Sequence, residues 1–251
     1  MVDEMYTKRR IEGHSLYSAH LSEERTIKVY LPPEFDRQRM YPILYCHDGN
    51  EFFTHGRIAT IANEMTANGL LTPLIIVGIA VNVDHRTEDY ALSGKRHEAY
   101  VRFVAEECIP FVERLYPISQ EMSARAMAGI SLGAVATLRL AKHMGARLPN
   151  VLLFSGAYYD SFLTYIREQN AVERLSAYMV VGLAETTVDT PAGTYDFLQA
   201  NRSMKTILEA QGAAVAYREE EGKHIWGFWQ RHLPAALQWL SGQLPAPRSA
   251  E

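Results

Sequence analysis

Apolar positions change period along the chain, and the changes mark the elements. Up to about residue 60 the pattern favours strands. Residues 15–21 ("SLYSAHL") alternate weakly and 25–32 ("RTIKVYLP") alternate well, while 41–49 ("YPILYCHDG") is a short apolar run closed by a turn signal. This predicts an antiparallel start. Residues 56–70 ("GRIATIANEMTANGL") then carry apolar side chains at helical spacing with a glycine stop, and 71–81 ("LTPLIIVGIAV") form a continuous β-branched run suited to a strand covered on both faces.

From there helix and strand patterns alternate. Residues 98–118 are amphipathic, with Pro110 expected to bend the helix. Residues 125–131 ("RAMAGIS") predict a strand, 132–145 a helix stopped at Gly145, and 150–158 another buried strand. Residues 175–185 repeat the strand pattern, 195–212 predict a helix ending on Gly212, 214–222 a strand, and 226–244 a closing amphipathic helix. Strands alternating with helices over about 200 residues imply a mostly parallel sheet with helices on both faces, and ligands beyond the carboxyl ends of its strands. No repeat or linker interrupts the pattern. One α/β domain over 1–251 is expected, with its core at about 12–242 and a disordered tail at 243–251.

Composition narrows the classes without changing the fold. The chain has 251 residues, 47% of them hydrophobic, which suffices for a large core. A net charge of -4, with no block of like charges, gives no reason to expect nucleic acid or an anionic membrane as partner. No 18-residue apolar run is present, and the charged N-terminal stretch does not read as a secretion signal. Cys46 and Cys108 sit in apolar surroundings and are expected as packed free thiols, in keeping with a cytoplasmic protein. A homo-oligomer is compatible with all of this.

The chemistry centres on Gly129-Ile130-Ser131-Leu132-Gly133, where a predicted strand gives way to a predicted helix. A serine at such a turn is held in a strained backbone, and small residues two before and two after let strand and helix approach. Ser131 is therefore the expected nucleophile. The N–H of Leu132, at the new helix N-terminus, is one expected oxyanion donor, and the second is expected from the backbone of Gly49 or Asn50 in "HDGNEFF".

A serine needs a base, and three histidines follow it: His143, His224 and His232. His143 lies about three turns along the next helix and His232 inside the last one, whereas His224 falls on a loop between the last strand and the last helix. His224 is the expected base. The orienting acid should follow the next-to-last strand, at the end of the 175–185 run. Glu185 is the first acid there and Asp189 the second choice. Phe52, Phe53, Trp226 and Trp229 lie close in sequence to these residues, as core packing or as the walls of a substrate pocket. Arg86, Tyr90 and Arg96, in a long polar loop, are expected to be solvated.

The segments "IKVYLPPEF", "YPILYCHDGNEFF", "FVAEECIPFVERLYPI", "AMAGISLGAVATLRLA" and "GKHIWGFWQRHLPAALQWL" resemble the putative-esterase branch of the α/β-hydrolases, which includes esterase D and enterochelin-esterase-like proteins. The resemblance runs from about Lys28 to Leu240. It implies an α/β-hydrolase fold and a serine esterase acting on small-molecule esters, with Ser131, His224 and Glu185 in the roles given above and neither metal nor organic cofactor. Siderophore lactones and feruloyl or acetyl sugar esters are the specialised alternatives. The rivals are a non-catalytic binding protein on the same fold and a metal hydrolase, the latter disfavoured by the lack of a His-x-x-x-His or Cys-x-x-Cys spacing.

Overall fold

The computed structural model describes residues 8–168 and 174–249. Eight strands form one sheet: β1 Arg10–Ser18, β2 Glu23–Leu31, β3 Ile43–Cys46, β4 Ile75–Ile79, β5 Arg125–Ile130, β6 Asn150–Phe154, β7 Ser176–Gly182 and β8 Ala214–Glu220. Their spatial order is β1-β2-β4-β3-β5-β6-β7-β8. β1 and β2 pair antiparallel, as does β2 with β4, and every other pairing is parallel. The expected mixed sheet is therefore present. Parallel strands aligned this way bring their carboxyl ends, and the loops that leave them, to one edge.

Alternation along each central strand divides the core between two faces. In β4, Ile75, Val77 and Ile79 face one hydrophobic cluster and Ile76 the other; in β5, Met127 joins the first, while Ala126, Ala128 and Ile130 join the second. The α-helices among the described residues are α1 Gly49–Thr54, α2 Ile58–Ala67, α3 Arg86–Tyr90, α4 His97–Arg102, α5 Ile109–Leu115, α6 Leu132–Met144, α7 Asp160–Glu168, α8 Phe197–Ala210 and α9 Trp226–Ser241; the first face is covered by the helices at 97–115, α6 and α8, and the second by α2 and α9.

Several elements differ from the pattern-based expectation. The helix expected over 98–118 is not one regular helix. The hydrogen-bond ladder widens to a π segment at Phe103–Cys108, between α segments His97–Arg102 and Ile109–Leu115, and the proline sits at the start of the third piece. Asp160–Glu168 is a helix too short for its period to stand out, and it buries Phe162, Leu163 and Ile166. The polar loop at 82–97 contains a five-residue helix, α3, Arg86–Tyr90. In the tail, expected to be disordered over 243–251, Arg248–Ser249 pair antiparallel with Arg39–Met40; 250 and 251 lie outside the described residues. No helix among the described residues is long and apolar enough to cross a membrane.

Candidate active site

Ser131 joins β5 to α6, Leu132–Met144, with φ 56 and ψ -121, a combination that a non-glycine residue adopts only under restraint. The restraints are visible. Its N–H donates to the Phe154 carbonyl at 3.0 Å, and its own carbonyl accepts from Ala134 and Ala157, each at 3.1 Å. Gly129 makes room for this turn: a Cβ there would lie 2.1 Å from the Gly133 carbonyl oxygen and 2.5 Å from Thr137 Oγ1, so no side chain fits. The elbow geometry expected from Gly-x-Ser-x-Gly is present.

His224 leaves the loop after β8 and places Nε2 3.0 Å from Ser131 Oγ. Its Nδ1 lies 2.6 Å from Glu185 Oε2. Glu185 follows β7 by three residues and is fully buried. Its other carboxylate oxygen accepts from the Gly182 N–H at 2.8 Å and from Ser155 Oγ at 2.7 Å. Ser155 in turn accepts from Trp229 Nε1 at 2.8 Å. The carboxylate is thereby fixed in orientation by two donors before the imidazole arrives. Phe197 and Trp229 pack on the imidazole with ring centroids 4.9 Å away, the indole edge-on.

The alternatives do not meet this site. Asp189 is exposed in a small hairpin, where it accepts from Thr194 Oγ1. His143 is exposed on α6, and His232 packs against Phe228 within the last helix.

The two proposed oxyanion donors lie on separate elements. Leu132 N–H occupies the first turn of α6, where helical geometry offers it no acceptor. Gly49 and Asn50 begin a six-residue helix, α1, Gly49–Thr54, that follows Asp48 in the left-handed region (φ 51, ψ 47). Gly49 packs on β4 so closely that a Cβ would sit 2.2 Å from the Gly78 carbonyl carbon. Here the sequence suggested an open loop, and the difference redistributes the aromatic residues. As part of a helix, Phe52 turns inward, is fully buried and meets Trp226 edge-on at 5.5 Å, while Phe53 packs into the second core cluster against Gly78. Glu51, on the other face, reaches the cleft.

That cleft has a volume of about 460 Å³ and contains Ser131 and His224. Trp226 and Trp229 line it, together with Val81, Val83, Ile130 and Ile225, whereas Phe52 and Phe53 do not. Charged side chains line it as well: Asp48, Glu51 and Arg86. Arg86, Tyr90 and Arg96 are not the solvated residues expected. Arg86 forks onto Asp48, Tyr90 is fully buried with its hydroxyl accepting from the Asp48 N–H at 3.0 Å, and Arg96 binds Asp89 and Glu23. A larger cavity of about 470 Å³ lies elsewhere, around Met122, Leu148 and Leu175, and holds none of these groups.

Beneath the 47–50 turn, His47 is fully buried, with Nδ1 2.7 Å from the Tyr100 hydroxyl. Burial, and secondarily the charge of Arg86, pushes its pKa down to about 3. The native state therefore keeps it neutral while the unfolded chain binds a proton below about pH 6.5. Stability is unaffected above that value and falls as pH drops through the window from about 6.5 to 3, by up to about 1.4 kcal/mol per pH unit from this residue. Urea unfolding at pH 7 and pH 5 is expected to show the loss, and His47→Gln is expected to flatten it. An unchanged slope in that variant would assign the acid sensitivity elsewhere.

The chain matches the family model described as "Putative esterase" over residues 18–240. It is 30% identical over 230 residues to the uncharacterized protein YjcH of Bacillus subtilis (strain 168), spanning 91% of this chain and 96% of that one. To an acetyl esterase of Caldicellulosiruptor saccharolyticus it is 22% identical over 256 residues, spanning 90% and 96%. Among solved structures, a ferulic acid esterase superposes with a TM-score of 0.80 at 18% identity, covering 94% of this chain and 100% of that one, a likeness of fold. With the family matched over nearly the whole core and the sheet order that goes with it, the chain belongs to the putative-esterase family, carboxylic ester hydrolases of the α/β-hydrolase fold.

Proposed function

We propose that this protein hydrolyses carboxylic esters of small molecules through an acyl-enzyme on Ser131, with His224 as base and Glu185 as the acid that orients it. The observation that carries this reading is the unbroken hydrogen-bond chain from Ser131 Oγ through the imidazole to a fully buried carboxylate, at 3.0 and 2.6 Å. Ser131 Oγ attacks the ester carbonyl as His224 Nε2 takes its proton. The tetrahedral oxyanion is held by the Leu132 N–H and by the N–H of Gly49 or Asn50. The protonated imidazole then delivers its proton to the departing alcohol, and water repeats the sequence in reverse to release the acid. Glu185 stabilises the imidazolium without itself taking the proton.

A cleft lined by both apolar and charged side chains supports an acyl group lying along Trp226, Trp229 and Ile225, with the charged groups left for the alcohol. Relatives named acetyl esterase and ferulic acid esterase are consistent with a short or aromatic acid. A fluorophosphonate probe tests the chemistry directly. Peptide mass spectrometry should find the adduct on Ser131 in the wild type and only traces of it in His224→Ala. A wild type without adduct would instead favour a binding protein on a hydrolase fold. A panel of p-nitrophenyl esters from acetate to octanoate, with methyl ferulate, then ranks the acyl groups.

A further inference from the structure

Asp48 is a non-glycine residue in the left-handed region, and it immediately precedes the two candidate oxyanion donors. Such a conformation is unfavourable for a residue that carries a Cβ and persists only where its surroundings impose it. Here α3 imposes it from one side. Arg86 Nε donates to Asp48 Oδ1 at 2.7 Å and Nη2 to Oδ2 at 2.8 Å, while Tyr90, one turn further on, accepts from the Asp48 N–H at 3.0 Å. The same Arg86 Nη2 lies 3.5 Å from the carbonyl oxygen of Ile130, the residue before Ser131, and the guanidinium stacks over the Tyr90 ring at 5.1 Å. Asp48 also covers the elbow directly: its Oδ2 lies 3.3 Å from the point where a Cβ on Gly133 would be.

The helix that does this is itself anchored. Asp89, between the two holding residues, is fully buried and binds both Arg25 of β2 and Arg96. The grip on Asp48 is thus referred to the sheet, and a bidentate guanidinium–carboxylate pair fixes angle as well as distance. We propose that Arg86 and Tyr90 are positioning residues for ester hydrolysis, acting through Asp48 to set the 48–50 backbone at a fixed distance from Ser131. The inference rests on the triad proposed above and extends it. Arg86 touches the cleft, yet both its short contacts go to Asp48, so its contribution is made before substrate arrives and is realised in the transition state.

The test is a double-mutant cycle of Arg86→Gln, Asp48→Asn and the pair, with Arg86→Lys and Tyr90→Phe alongside, each checked for folding by circular dichroism and thermal unfolding. With p-nitrophenyl acetate and butyrate, Arg86→Gln is expected to lower kcat about 30- to 100-fold, with KM changed less than about threefold for both esters. The double variant should be no worse than the poorer single one, because both act through one contact. Arg86→Lys, which keeps the charge and loses the fork, should recover part of the rate, and Tyr90→Phe should lose about tenfold. Affinity for a trifluoromethyl ketone, an oxyanion mimic, should fall in step with kcat/KM.

A folded Arg86→Gln with wild-type kcat, a rise confined to KM, or losses that multiply in the double variant would each overturn the assignment. Fluorophosphonate labelling separates its failure from that of the triad. Ser131 in Arg86→Gln should still be labelled, only more slowly, whereas a wrong triad leaves the wild type unlabelled.

Discussion

Replacing Ser131 by alanine is expected to lower turnover of p-nitrophenyl acetate by about four to six powers of ten while the protein remains folded. The size follows from the geometry. The hydroxyl is the only group removed, and its hydrogen-bond partner is His224 Nε2, so no core contact is lost. The strained backbone at φ 56 is fixed by hydrogen bonds of the main chain to Phe154, Ala134 and Ala157, and these survive the substitution. Circular dichroism and the unfolding midpoint should match the wild type. The oxyanion donors stay in place, so a residue of activity above the uncatalysed rate should persist. Turnover within tenfold of the wild type would remove Ser131 from the mechanism.

Glu185→Gln is expected to cost about 10³- to 10⁴-fold in kcat, more than its near-isosteric change suggests. Two donors, the Gly182 N–H and the Ser155 hydroxyl, point at one carboxylate oxygen. In glutamine the amide oxygen must occupy that position, which turns the NH₂ group toward His224 Nδ1. Nδ1 must then accept, the imidazole carries its proton on Nε2, and Nε2 can no longer take the proton of Ser131. The KM should change little, since the carboxylate does not line the cleft. Asp189→Ala is the companion measurement: exposed and engaged with Thr194, it should leave kcat where it was. A reversed outcome, with Asp189→Ala inactive and Glu185→Gln normal, would transfer the role.

The sheet and the three central residues were legible because each rests on short-range pattern. β-branched runs gave the parallel strands, Gly129 and Gly133 marked the elbow, and the position of Glu185 and His224 just past strand ends placed them at one edge of the sheet. Ser155 escaped notice, since a serine after a buried strand differs in no local way from an ordinary turn residue; its meaning comes from Trp229 and Glu185, 74 and 30 residues away in sequence. The charged side chains were misjudged for a related reason. The stretch at 82–97 is polar, and polarity predicts solvent, but Arg86 pairs with Asp48, and Asp89 with Arg25 and Arg96, inside the fold. For Phe52 and Phe53 the sequence left core packing and pocket wall both open, because a six-residue helix is too short to declare its period; the structure packs both in the core.

The sheet order has a consequence in time as well as in space. Ser131 is synthesised and its elbow can form once β5 and β6 are in place, but its partner imidazole is 93 residues further on, beyond an edge strand that pairs in parallel with β7. Parallel edge pairing is a late and slow contact. On the triad proposed above, the base therefore reaches Ser131 only after the edge strand has paired, so activity is expected to appear later in folding than the turn that carries the nucleophile.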